Sequence, residues 1–358
     1  MTRLFLIFAV AATLAGCGTK SSVTVAGKGE PGRPRVAVIT NCTAEFWSIC
    51  EAGAKKGAAD HGVDVQFIQP EKMEVSVQMQ QIDAVMKTGV KGLAVSVINP
   101  KEQTPDLKRI GSRVQLITMD NDATDTGRLC YVGINNYDAG KAVGRLVKKA
   151  LPNGGTIAVF IGSTTSANAK DRIAGTLDEL AGSDNRAAIA DGKFAESYGK
   201  YKLFRKMAIE DAGEENKALD NAKDVIEQLK GTPDVCLVGL YAYNPKCILE
   251  ASRSKKTTDM FKIVGFDEDT VTLDGIARGE IVGTVVQDPF NYGYESVRLL
   301  AMLAKTGDTS QLPKQPTPYR VVTKDGGPDE TVNGQTIKVT KAVEYAQKIK
   351  DDLASVKK

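Results

Sequence analysis

The chain has 358 residues, 42% of them hydrophobic and 25% charged, with a formal net charge of +3. That balance suits an ordinary globular protein and is too mild for a nucleic-acid surface; Lys and Arg are scattered, with no basic stripe interleaved with aromatics. His61 is the single His, which leaves His-dependent triads and His-rich metal sites little material, and no cofactor is expected.

The chain opens with Met1-Thr2-Arg3 and an apolar run from Leu4 to Leu14. The run is too short to span a bilayer, which takes about 20 apolar residues. A basic start ahead of a brief apolar stretch is the pattern of a secretory signal, and it closes on Leu14-Ala15-Gly16-Cys17, which resembles a bacterial lipobox. Residues 1–16 are therefore read as a signal peptide and Cys17 as the site of lipid attachment. Acyl chains on Cys17 would anchor the protein at about 0.8 kcal/mol per buried CH₂, at the periplasmic membrane face or the cell surface. Gly18 to Pro34 is Gly, Ser, Lys and Pro with little to bury, and reads as a flexible tether. Of the remaining thiols, Cys42 with Cys50 and Cys236 with Cys247 are candidate bridges in an oxidising compartment; buried free thiols are the alternative for all five, Cys130 included.

From Arg35 onward, short β-branched runs alternate with amphipathic stretches. Strands are predicted at Arg35–Thr40, Val63–Ile68, Gly92–Val97 and Val114–Met119, with helices at Phe46–His61, Val75–Thr88 and Lys101–Gly111 between them. The pattern restarts after Cys130-Tyr131-Val132-Gly133. Helices follow at Tyr137–Ala150 and Ala167–Leu180 around a strand at Thr156–Ile161, then a strand at Tyr201–Met207 and a helix at Asn216–Leu229. Strands at Val235–Gly239, Phe261–Phe266 and Ile281–Val286 come next, separated by helices that end at Ser252 and Arg278. A long helix runs over Asn291–Ala304, and Val321–Lys358 reads as a hairpin and a charged helix. Strands of this length separated by helices imply parallel βαβ units with helices on both faces. The fold class is α/β, with two doubly wound parallel-sheet lobes.

In open parallel sheets, ligands sit beyond the carboxyl ends of the strands. Asn41 follows the first strand, with Phe46 and Trp47 opening the next helix; Asp120 and Asn121 follow the fourth strand. Tyr241 and Asn244 lie in GLYAYN, Asp267 follows VGF, and Gln287 follows GTVV. Carboxylates accept hydrogen bonds from hydroxyls, amides donate and accept, and a ring face covers apolar C–H groups, which is what a polyhydroxylated ligand needs. Asp and Asn are also common helix caps and turn formers; several together, with the only Trp of the chain among them, favour a pocket.

The chain resembles the type I periplasmic binding proteins, the ribose- and galactose-binding family of transporter receptors, from Arg35 to about Val322. The resemblance is carried by VAVITNCTAEFWSICEAGAKKGA (Val36–Ala58), VQLITMDND (Val114–Asp122), CYVGINNYDAGKAVG (Cys130–Gly144), NAKDRIAG (Asn168–Gly175), CLVGLYAYNPKCILEA (Cys236–Ala251), KIVGFDED (Lys262–Asp269) and GTVVQDPFNYGYESV (Gly283–Val297). It implies that Phe46 and Trp47 pack on a sugar ring, that Asp120 accepts from its hydroxyls, that Arg172 donates a fork of hydrogen bonds, and that Asp267 and Gln287 complete the polar ring. Tyr241 or Asn244 fills a further strand-end role. Asn121 departs from the ribose-binding pattern, which has Arg there, and Ala44 stands where that pattern has a polar amide.

The resemblance further implies a three-stranded hinge, with crossings near Ile134, Gln287 and Pro318. One lobe is then 35–134 with 288–318, and the other 135–287 with 319–358. Hinge closure would bury a small sugar, and an ABC transporter permease is the implied partner, with no nucleic acid. A sensor feeding a signalling receptor is the alternative. A glycosidase-type enzyme built on the Asp residues is the distant one. No GxGxxG or GxxxxGK[ST] follows a strand, so nucleotide chemistry lacks its loop.

Overall fold

The computed structural model describes residues 22–27, 32–184 and 186–356. The signal-peptide and Cys17 readings lie outside them. In chain order, the first part carries β1 (Ser22–Ala26), β2 (Arg35–Ile39), α1 (Glu45–His61), β3 (Asp64–Gln69), α2 (Val75–Met86), β4 (Gly92–Val95), α3 (Pro100–Gly111), β5 (Gln115–Met119) and β6 (Tyr131–Val132). The second begins with α4 (Asn136–Ala150), β7 (Gly155–Ile161), α5 (Ala167–Ala181), α6 (Arg186–Ala190), β8 (Ser197–Tyr198), β9 (Tyr201–Glu210) and α7 (Glu215–Leu229). It continues through β10 (Val235–Gly239), α8 (Asn244–Lys255), β11 (Phe261–Phe266), α9 (Thr270–Arg278) and β12 (Gly283–Val286). The chain ends with α10 (Pro289–Thr306), β13 (Arg320–Thr323), β14 (Glu330–Val332), β15 (Gln335–Lys341) and α11 (Ala342–Ser355).

The described residues form two sheets, one per lobe. The first has the order β1-β3-β2-β4-β5-β6 and the second β14-β15-β13-β12-β11-β10-β7-β9-β8. Stripped of their edges, β3-β2-β4-β5-β6 and β9-β7-β10-β11-β12 are both parallel and share one order, the doubly wound 2-1-3-4-5. Their strands are buried on both faces, as in β2, where Val36 to Ile39 are wholly inaccessible. This is why they read as continuous apolar runs rather than as alternation. The chain leaves the first sheet after β6 and returns with α10, which packs against α1 and on β2, β4 and β5. It then leaves again to lay β13 antiparallel on β12. A parallel bridge between Ile134 and Thr317 ties two of these connecting segments together.

Two helix pairs approach unusually closely, and both carry cleft residues. A Cβ on Gly53 of α1 would lie 1.8 Å from Phe290 O, and one on Gly293 of α10 would lie 1.9 Å from Cys50 O. A Cβ on Gly140 of α4 would lie 2.4 Å from Arg172 O, and one on Gly175 of α5 would lie 2.0 Å from Tyr137 O. Any side chain at these glycines would drive the helices apart and move Arg172 with α5.

The segment read as a tether differs from expectation. Ser22–Ala26 adds an antiparallel edge strand to β3, from Ser22 opposite Gln69 to Ala26 opposite Val65. The consecutive β-branched residues Val23, Thr24 and Val25 suit a strand, and the Gly- and Pro-rich flanks hid that signal. The stretch between Ser183 and Gly199, unassigned from sequence, supplies α6 and β8. β9 runs to Glu210, past the expected Met207, across a register shift at which Arg205 and Lys206 take positive φ. The C-terminal hairpin turns at Asn333-Gly334, both at positive φ, with Val332 opposite Gln335, as a two-residue Asn-Gly loop requires. α11 then packs on α9 and α1, and Tyr345 OH donates to Gln287 O at 2.9 Å. The five described cysteines, Cys42, Cys50, Cys130, Cys236 and Cys247, are buried free thiols, so neither candidate bridge forms.

Candidate ligand-binding cleft

The two sheets face each other through their strand C-terminal ends, and a cleft lies between them. Seven of the residues singled out from sequence line it: Asn41, Phe46, Trp47, Asp120, Arg172, Tyr241 and Asp267. The lobes are closed over it. Ser166 OH donates to Ile98 O at 2.9 Å, Asn168 N to Asn121 Oδ1 at 2.9 Å, and Thr270 OH to Glu45 Oε1 at 2.5 Å, each from the second lobe to the first.

Arg172 is the hub of the cleft. It is 2% exposed and reaches in from α5. Nε donates to Asn136 Oδ1 at 2.8 Å and Nη1 to Leu240 O at 3.0 Å. The guanidinium lies 3.9 Å above the Phe266 ring centroid and 5.7 Å from that of Tyr241. Nη2 has no hydrogen-bond partner, and it stands 3.8 Å from Asp120 Oδ1 while Nη1 stands 3.8 Å from Asp267 Oδ2. A buried cationic donor without a partner is costly, so this arrangement is poised for an acceptor from outside.

Both carboxylates are anchored at one oxygen. Ser96 OH donates to Asp120 Oδ2 at 2.9 Å, and Gln287 Nε2 to Asp267 Oδ1 at 2.8 Å. Burial raises the pKa of both, and Arg172 opposes the rise in each case. An added ligand that donates to them would replace the solvation they lack.

The aromatic side is built by the start of α1. Phe46 and Trp47 meet edge to face, centroids 4.8 Å apart, and Trp47 Nε1 donates to Asn41 Oδ1 at 3.1 Å. Across the cleft, Tyr241 OH donates to Asn168 Oδ1 at 3.2 Å and Tyr243 OH to Asp211 Oδ1 at 2.5 Å.

Three sequence-derived candidates do not line the cleft. Asn121 turns its amide away to Val97 O while its Oδ1 accepts from Asn168 N. Asn244 accepts from Tyr241 N at 3.0 Å and donates to Asp211 Oδ2 at 2.8 Å, shaping the loop ahead of α8. Gln287 stands behind Asp267 and accepts from Tyr292 OH at 3.1 Å. Each positions a lining residue and does not itself line the space.

Cys42, Met73, Asn168, Ala242 and Tyr243 line the cleft without having been singled out. Asn168 and Tyr243 carried a signal, standing in NAKDRIAG and GLYAYN. Met73, in the β3–α2 loop, carried none, because an isolated Met in a polar loop has no pattern to stand against.

A family model described as periplasmic binding protein domain matches residues 36–309, more than half of the chain. The D-ribose/D-allose-binding protein of Pseudomonas aeruginosa is 21% identical over 289 residues, covering 77% of this chain and 84% of that protein. The D-allose-binding periplasmic protein of Escherichia coli is 22% identical over 293 residues, covering 78% and 87%. An ABC transporter solute-binding protein from Burkholderia graminis, solved in complex with D-arabinose, superposes with a TM-score of 0.72 at 25% identity, covering 83% of this chain and 97% of that one. These relatives are binding proteins, not enzymes.

Proposed function

The chain belongs to the type I periplasmic binding protein family, and from that premise we propose that it is an extracytoplasmic receptor that captures a small sugar between its lobes and delivers it to an ABC transporter permease. The observation that carries this reading is the unpartnered Nη2 of Arg172, buried between one carboxylate from each lobe. A sugar hydroxyl is both acceptor and donor, so one ligand can accept from Arg172 and donate to Asp120 and Asp267. An anion would meet two carboxylates against one guanidinium, which favours a neutral ligand.

In this reading Asp120, Asp267 and Arg172 hold the polar edge of the sugar and Phe46 and Trp47 cover a C–H face. Asn41, Asn168 and Tyr241 complete the wall, while Asn121, Asn244 and Gln287 hold the lining residues in place. Capture is hinge closure, as expected for two lobes joined by crossing segments. Pentoses and hexoses are the ligand classes favoured by the relatives, whose names specify ribose and allose and one of which was solved with arabinose. Removal of residues 1–16 and lipidation of Cys17 would keep the receptor at the membrane beside its permease; Cys17→Ser should release it into the soluble fraction.

Titration calorimetry with D-ribose, D-allose, D-arabinose and D-galactose tests the receptor reading. A saturable 1:1 isotherm for at least one sugar, abolished by Arg172→Met, is the expected result. Heats of dilution alone across pentoses and hexoses would reject it. Uptake of the bound sugar by cells carrying or lacking the chain then separates transport from sensing.

A further inference from the structure

The cleft lining combines three charged side chains with four that carry no strong hydrogen-bonding group. Asp120, Arg172 and Asp267 supply all its charge, while the loops after β2, β3 and β10 supply Cys42, Ala44, Met73 and Ala242. Ala44, Met73 and Ala242 pack against the main hydrophobic core. Burial pushes the Cys42 thiol up to about 12, so it stays neutral and acts as a small apolar group.

Several polar groups of the lining are already engaged within the protein. Trp47 Nε1 donates to Asn41, Tyr243 OH to Asp211 and Tyr241 OH to Asn168. Among the described residues that line the cleft, Arg172 Nη2 is the one fully buried side-chain polar atom left without a partner. A ligand hydroxyl turned toward Cys42, Ala44, Met73 and Ala242 would give up water for side chains that cannot hydrogen-bond it well, whereas a methyl or methylene group would give up nothing.

We propose that the preferred ligand is a deoxy sugar, a neutral monosaccharide with one carbon edge lacking a hydroxyl, bound with its hydroxylated edge on Asp120, Arg172 and Asp267 and its apolar edge against Cys42, Ala44, Met73 and Ala242. The assignment rests on the sugar-receptor reading above and narrows its substrate class. Ala44 and Met73 are then specificity-determining residues contributed by the first lobe, and closure brings Ala242 onto the same edge from the second.

The experiment is competition between matched pairs on the wild-type full-length chain, read by titration calorimetry: D-galactose against D-fucose, L-mannose against L-rhamnose, and D-ribose against 5-deoxy-D-ribose. In the pair whose stereochemistry fits, the deoxy member should bind about tenfold tighter or more, the loss expected for a buried hydroxyl without a good partner. Ala44→Asn, which places an amide on that edge, should move the preference toward the hydroxylated member, and both ligands of a pair report on the same folded variant. A hydroxylated member binding as tightly as its deoxy partner, or tighter, in every pair that binds would overturn the deoxy assignment and leave the sugar receptor standing. No binding by any member of any pair would overturn both.

Discussion

Asp120 and Asp267 occupy equivalent positions in the two lobes. Each follows the fourth strand of a 2-1-3-4-5 parallel sheet, β5 or β11, and each takes a left-handed backbone conformation, φ 57° and 66°. Each also donates its backbone N–H to the neighbouring fifth strand, Asp120 to Val132 O at 3.0 Å and Asp267 to Val285 O at 2.7 Å. The pair therefore closes on Arg172 from two sides as one repeated device, with each carboxylate 3.8 Å from the guanidinium.

Arg172 is predicted to tolerate neither loss nor shortening. Arg172→Lys keeps the charge but gives up the fork that reaches Asn136 and Leu240 together, so sugar affinity should fall about 100-fold. Arg172→Met removes the cation between two buried carboxylates. The unliganded protein should then lose about 3 kcal/mol at neutral pH, read as a lower denaturant midpoint, with part of the loss recovered as pH falls and the carboxylates, whose pKa values burial raises (to about 7 for Asp267 even beside Arg172), take up protons. A variant with unchanged midpoint and affinity would mean that Arg172 is idle.

Backbone and side-chain roles of Asp120 separate by choice of substitution. Asn, like Asp, visits the left-handed region readily, whereas Ala there costs about 1 kcal/mol. Asp120→Asn should hold the melting temperature near that of the parent, and Asp120→Ala should lower it. Both should weaken sugar binding by a similar factor, because both lose the anionic acceptor. Equal melting temperatures for the two variants would remove the strain argument.

Affinity should rise with pH through the acidic range. Burial raises the pKa of Asp120 and Asp267 in the unliganded cleft, and hydroxyls donating to a carboxylate favour its ionised form. Bound-state pKa values then lie below unbound ones, so binding releases protons and weakens as pH falls through the unbound values. Calorimetry in two buffers of different ionisation enthalpy measures that release directly. Asp267→Asn should reduce it, and an absence of proton release in the parent near pH 6 would mean the carboxylates stay ionised throughout.

The alternation of apolar runs and helices carried both sheets, because parallel strands buried on both faces leave an unbroken apolar signature. Strand ends carried the cleft, because a doubly wound sheet puts ligand groups there, as Asn41, Asp120, Tyr241 and Asp267 show. The aim of each side chain was not legible. Asn121 and Asp120 are neighbours of similar shape, yet one satisfies Val97 O and the other faces Arg172, and that choice is made by the left-handed turn at Asp120. The edge strand Ser22–Ala26 and the lining residue Met73 were missed for a related reason, since both depend on partners far away in sequence.

Glu268, directly after Asp267, is 2% exposed, and neither of its carboxylate oxygens has a hydrogen-bond partner. Burial raises its pKa well above the usual carboxylate range, Asp267 and Asp288 add to the rise, and Lys348 opposes it. The folded protein thus keeps a proton that the unfolded chain releases above a pH of about 4.3. The stability contributed by Glu268 is complete below that pH and is lost as pH rises toward the folded-state value. Glu268→Gln keeps the shape and removes the titration. It should stabilise the protein at pH 8, and the gain should shrink to nothing by pH 4. Denaturant midpoints of parent and variant across that range decide the matter: a gain that does not change with pH would mean that Glu268 titrates alike in the folded and unfolded chains.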